Sequence, residues 1–130
     1  MRILLIEDEP EMASVLKTAL ERQDFVVDHV STLADAEAMA RLGTFDAVVL
    51  DRRLPDGDGV EAIERLRAVA PRVRVVIFTG AADRSTADRV AAAGGAGVLL
   101  KAGALEDMLD TIRTVAAGRQ SFDVRSSGRR

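Results

Sequence analysis

Residues able to do acid, hydroxyl or ammonium chemistry stand directly behind short apolar segments in this chain. Glu7 and Asp8 follow Ile3 to Ile6, Asp51 follows Phe45 to Leu50, Thr79 follows Val73 to Phe78, and Lys101 follows Val98 to Leu100. A short apolar run bounded by turn signals is expected to be a buried strand. The carboxyl ends of strands in an open parallel sheet share one edge, where ligands bind. Three carboxylates gathered there repel one another unless a cation intervenes. Mg²⁺ suits the place, because it takes one or two carboxylates together with phosphate oxygens and waters. Asp51 is then a candidate nucleophile, a carboxylate that accepts a phosphoryl group as an aspartyl phosphate. Mg²⁺ held by Asp8 and Asp51, the Lys101 ammonium and the Thr79 hydroxyl would each neutralise one equatorial oxygen. Gly80, without a side chain, leaves room for the incoming group.

The elements that must position these residues alternate along the chain. After the first strand, Pro10 suits a first helical turn, and Met12, Val15, Leu16, Ala19 and Leu20 form an apolar stripe. Phe25 to Val30 is a second, more polar strand carrying Asp28 and His29. Thr32 with Asp35 opens a helix running to Leu42, with Ala36, Met39 and Ala40 inward, and Gly43 ends it. Asp58 and Glu61 resemble a capping box ahead of Val60, Ile63 and Leu66, and Pro71 closes that helix. Asp83 caps a weak, alanine-rich fourth helix with Ala87, Val90 and Ala91 inward. Leu105, Met108, Leu109, Ile112, Val115 and Ala116 mark the fifth, which stops near Gly118. Uninterrupted β-α alternation calls for a parallel sheet covered on both faces. The more polar second strand belongs at an edge. The expected fold is therefore an α/β, doubly wound five-stranded parallel sheet of order 2-1-3-4-5, a flavodoxin-like (βα)5 three-layer sandwich. Residues 1–118 make the domain, and residues 119–130 read as a polar tail or linker.

Composition narrows the function. The chain has 130 residues, 48% hydrophobic and 30% charged, with net charge −3 and no cysteine. Disulfides and thiolate metal sites are excluded, and the acidic balance argues against direct nucleic-acid binding. No apolar stretch reaches the roughly 20 residues of a membrane span. Glu7, Asp8 and Glu9 cut the first apolar run too short for a signal peptide, so a soluble cytoplasmic domain is expected. Asp56 and Asp58 are read as turn and cap, because the calcium-loop pattern is missing. His29 is read as a surface residue.

Together, Ile6-Glu7-Asp8-Glu9, Leu50-Asp51 with Leu54-Pro55 and Asp58-Gly59, Phe78-Thr79-Gly80 and Leu100-Lys101 resemble the receiver domain of two-component response regulators, over roughly residues 1 to 118. The resemblance implies that Asp51 takes a phosphoryl group from the phosphohistidine of a histidine kinase or phosphotransfer protein. It implies that Glu7, Asp8, Asp51 and the backbone carbonyl of Arg53 hold Mg²⁺, and that Thr79 and Lys101 contact the phosphoryl group. Two positions depart from the family pattern: Val98 stands where an aromatic switch residue is frequent, and Ala102 where proline is. The expected role is a switch, not an enzyme. Phosphorylation would shift the face made by helix 4, strand 5 and helix 5, controlling a partner, a second copy or an output domain such as a DNA-binding domain beyond residue 130. The competing readings are a receiver-like contact module that works without phosphorylation and a Mg²⁺-dependent phosphohydrolase with an aspartate nucleophile. Arg53 occupies the place of that hydrolase's second aspartate, and no Gly-rich phosphate loop follows the first strand to suggest a nucleotide or flavin site.

Overall fold

Five parallel strands form one sheet in the computed structural model, which describes residues 1–81 and 83–122. They are β1 (Arg2–Ile6), β2 (Val26–Val30), β3 (Ala47–Asp51), β4 (Val75–Thr79) and β5 (Gly97–Leu100), in the order β2-β1-β3-β4-β5. Helices α1 (Pro10–Arg22), α2 (Leu33–Leu42), α3 (Gly59–Val69), α4 (Arg84–Ala92) and α5 (Leu105–Ala116) follow the strands in turn. A small antiparallel turn, Arg53–Leu54 against Gly57–Asp58, intervenes between β3 and α3. The order and alternation expected from the sequence are those observed. Strand limits move slightly, with Phe45, Asp46, Val73 and Arg74 outside the sheet and Gly97 within it.

Successive strand residues point to opposite faces, so the continuous apolar runs feed two cores. Ile3, Leu5, Val49, Val76, Phe78 and Leu99 meet the inward residues of α1 and α5. Leu4, Ile6, Val48, Leu50, Val75, Ile77 and Val98 meet those of α2, α3 and α4. At the β2 edge Val26 and His29 are exposed, and Arg2 pairs with Asp28 at 2.6 Å.

Helix starts follow the expected caps. Thr32 accepts the Asp35 N–H and Asp83 accepts the Thr86 N–H. Asp58 caps α3 through the Val60 N–H, without the reciprocal Glu61 bond of a full capping box among the described residues. Two inward assignments are corrected. Val15 is 56% exposed, because burying Ala13, Leu16 and Leu20 turns its side of α1 outward. Ala91 is exposed as well, since the buried stripe of α4 is only as wide as Thr86, Ala87 and Val90.

Beyond Gly118 the chain turns back toward β5. The Ser121 N–H donates to the Ala96 carbonyl at 2.9 Å, and the Val98 N–H donates to the Ser121 carbonyl at 3.0 Å. Phe122 packs half-buried on the second core. The first residues of the expected tail thus lie on the sheet edge, while 123–130 fall outside the described residues. Among the described residues, no helix is long and apolar enough to cross a membrane.

Candidate functional site

The parallel register brings the strand ends level. Ile6 lies beside Leu50, Asp51 beside Phe78, and Thr79 beside Leu100. The Lys101 N–H donates to the Thr79 carbonyl at 2.8 Å, extending the ladder by one residue. Glu7, Asp8, Asp51, Arg53, Thr79, Gly80 and Lys101 consequently line one open cleft of about 550 Å³. The sequence-predicted residues are brought together, Arg53 by its place in the turn behind β3.

Burial sets the electrostatics. Glu7, Asp51 and Thr79 are buried, Asp8 is exposed, and Lys101 is intermediate. Lys101 Nζ lies 3.1 Å from Asp51 Oδ1 and 3.2 Å from Glu7 Oε1, and 5.2 Å from the centre of the Phe78 ring. Asp51 Oδ1 also accepts the Arg53 N–H at 3.2 Å. Gly59 allows the turn to close over Asp51, because a Cβ there would collide with the Asp51 carbonyl oxygen. The Thr79 hydroxyl is engaged in its own loop, donating to the Ala81 carbonyl at 3.0 Å.

Glu7 is the costly member of the set. Burial pushes its carboxyl up to about 7, with Asp51 beside it adding to the rise, while the Glu9 N–H and the Lys101 ammonium pull the other way. Its Oε2 accepts the Glu9 N–H at 3.0 Å. Its Oε1 is within ion-pair distance of Lys101 but has no hydrogen-bond partner among the described residues. Burial lowers the Lys101 ammonium, but Asp51 and then Glu7 outweigh it and hold the group above its ordinary value. Glu7, Asp8 and Asp51 each offer an oxygen, all within 4.8 Å of one another. A buried oxygen lacking a hydrogen-bond donor, in an all-oxygen donor set, fits a hard divalent cation such as Mg²⁺.

Glu9, Arg52 and Ala81 also line the cleft, and sequence reasoning gave neither Glu9 nor Arg52 a role there. Asp56, read as a turn residue, also has a longer reach: its carboxylate accepts the N–H groups of Leu33 and Ala34, capping α2. The Leu33 N–H foremost holds that carboxyl below its ordinary range. His29 lies on the edge strand, where its Nε2 is hydrogen-bonded to the Glu7 carbonyl at 2.8 Å.

Known proteins resemble this chain in sequence and fold. The chain is 40% identical over 95 residues to the transcriptional regulatory protein TcrA of Mycobacterium tuberculosis, covering 73% of this chain. It spans only 37% of that relative's length. A crystal structure of a two-component response regulator of the LuxR family from Aurantimonas sp. superposes with a TM-score of 0.88 at 27% identity, over 95% of this chain and 89% of that one. A response regulator from Burkholderia pseudomallei, crystallised with a phosphorylated aspartic acid, a calcium ion and citrate, superposes with a TM-score of 0.79 at 27% identity, over 89% and 68% of the two chains. The family model for the response regulator receiver domain matches residues 3–113, and this chain belongs to that family of two-component signalling proteins.

Proposed function

We propose that Asp51 is the phosphoacceptor of a cytoplasmic signalling switch, fed by a histidine kinase or phosphotransfer protein. The observation that carries this reading is the pairing of buried Asp51 with Lys101 at 3.1 Å, beside the buried Glu7 carboxylate. An Asp51 carboxylate oxygen attacks phosphorus, the bond from phosphorus to the imidazole nitrogen of the donor breaks, and its electron pair leaves with the imidazole. Lys101 holds the carboxylate in place beforehand and takes an equatorial phosphoryl oxygen as charge develops. The Thr79 hydroxyl gives up Ala81 for a second oxygen. Glu7, Asp8, Asp51 and the Arg53 carbonyl are the groups that would hold Mg²⁺. When bound, the ion supplies charge neutralisation for a third oxygen and for the clustered carboxylates.

The output in this reading runs through α4, β5 and α5 to a partner, a second copy or an attached regulatory domain. In this reading residues 1–118 form the receiving unit, with Ser121 and Phe122 held against its β5 edge and second core. Incubation with acetyl phosphate and Mg²⁺ is expected to add one phosphoryl group to the wild type and none to Asp51→Asn, read by intact-mass spectrometry. A wild type that stays unmodified under these conditions would leave a contact module that works without phosphorylation.

A further inference from the structure

Arg52 directly follows the proposed acceptor and lines the cleft, yet its side chain is hydrogen-bonded to a helix. Its main chain is clamped on both sides: the N–H donates to the Phe78 carbonyl at 2.9 Å, and the carbonyl accepts the Gly59 N–H at 2.6 Å. Only the side chain is free to change aim. It now donates from Nη1 to Thr86 Oγ1 at 3.3 Å. Thr86 lies in the first turn of α4, is 6% exposed, and gives its own N–H to Asp83 Oδ1 at 2.9 Å. The Asp83 carboxyl is held below its ordinary range by the Thr86 N–H, then by the Thr86 hydroxyl, with a smaller contribution from the Arg52 charge. Arg52, Thr86 and Asp83 therefore form one polar link between the Asp51 turn and the start of α4. A second link is the Thr79 hydroxyl bonded to Ala81 in the loop leading to the same helix. The apolar hold on α4 is slight, since its buried side chains besides Thr86 are only Ala87 and Val90.

We propose that Arg52 is a positioning residue that reports occupancy of Asp51 to α4. The inference rests on the reading of Asp51 as acceptor. A phosphoryl group on Asp51 places nearly two negative charges in the cleft that Arg52 already lines. A guanidinium bonds phosphate oxygens more strongly than a neutral hydroxyl, and with two donors at once. The side chain therefore exchanges Thr86 for the phosphoryl group. The first turn of α4 loses that tether just as Thr79 gives up Ala81, and the two releases bias the helix in the same direction.

The test compares amide spectra of the wild type, Arg52→Ala and Thr86→Val, each with and without beryllium fluoride plus Mg²⁺ as a phosphoryl mimic. Acetyl phosphate labelling of each protein is followed in parallel by mass. In the wild type the mimic is expected to shift the amides of Arg84 to Ala87. In both variants those amides start displaced toward the bound positions, and the further change on adding the mimic falls to about half or less of the wild-type change. Thr86→Val keeps every group that lines the cleft, so it decides the matter if Arg52→Ala does not fold. A purely structural contact would lower stability while leaving the size of the response unchanged. A wild-type-sized response in the variants, with Asp51 still modified, overturns the role of Arg52 alone. A wild type that takes no phosphoryl group overturns the acceptor reading and this inference with it.

Discussion

Glu7 buries a carboxylate oxygen that has no hydrogen-bond donor among the described residues. The groups facing it are Asp51 and Lys101, with Asp8 next in the chain. Its carboxyl is raised from 4.5 to about 7 in the folded protein, so without metal the folded state holds the Glu7 proton more tightly than the unfolded one. The associated stability is complete below about 4.5 and is lost as pH rises through about 7. Each unit of such a shift is worth roughly 1.4 kcal/mol, so the loss is on the order of a few kcal/mol. Denaturation midpoints measured in a chelating buffer are expected to fall over this range for the wild type. Glu7→Gln, or saturating Mg²⁺ with the wild type, should flatten the curve. Parallel wild-type and Glu7→Gln curves would remove Glu7 as their origin. Glu7, Asp51, Thr79 and Lys101 were legible in the sequence because each ends an apolar run, and the shared edge then follows from topology. Arg52 was not, because a charge beside a turn looks solvated until the fold brings Thr86 to it.

At the level of elements, hydrophobic period and caps fixed the strands and helices, and failures came where one element serves another at a distance. Asp56 has the composition of a turn residue, but its partners Leu33 and Ala34 begin a helix more than twenty positions earlier. Likewise, residues 119–122 carry no alternation, because Ser121 joins β5 through backbone groups alone and only Phe122 adds an apolar anchor. The glycine that permits this is Gly97, where a Cβ would lie 2.5 Å from the Ser121 carbonyl oxygen. Gly97→Ala is therefore expected to push the segment off the edge while leaving the cleft intact. Two backbone hydrogen bonds are lost, about 0.5–1.5 kcal/mol each. Hydrogen exchange at the Val98 and Ser121 amides should accelerate accordingly, with phosphoryl uptake at Asp51 unchanged. Wild-type protection at both amides would mean that the edge accommodates the methyl group by another route.

Across the whole molecule, α4 and α5 are anchored unequally to the sheet. On one face α5 buries Met108, Leu109, Ile112, Val115 and Ala116 against the central strands. On the other, α4 buries Thr86, Ala87 and Val90. A fully buried Val, Leu, Ile or Met contributes about 1.5–3 kcal/mol, so α5 is anchored by four such side chains and α4 by one. Regions held by few apolar contacts open locally at a free energy well below global unfolding. Native-state exchange is expected to rank the amides accordingly. Those of β3, β4 and α5 should exchange only with global unfolding, and those of α4 through a separate opening that denaturant barely affects. α4 also receives both polar links from the cleft, through Ala81 and Thr86. Of these two helices, the one cheaper to move is thus the one the site can reach. Denaturant-dependent exchange of α4 at the same free energy as α5 would place the two helices in one cooperative unit. A phosphoryl group could then shift α4 only at a cost approaching that of unfolding the domain.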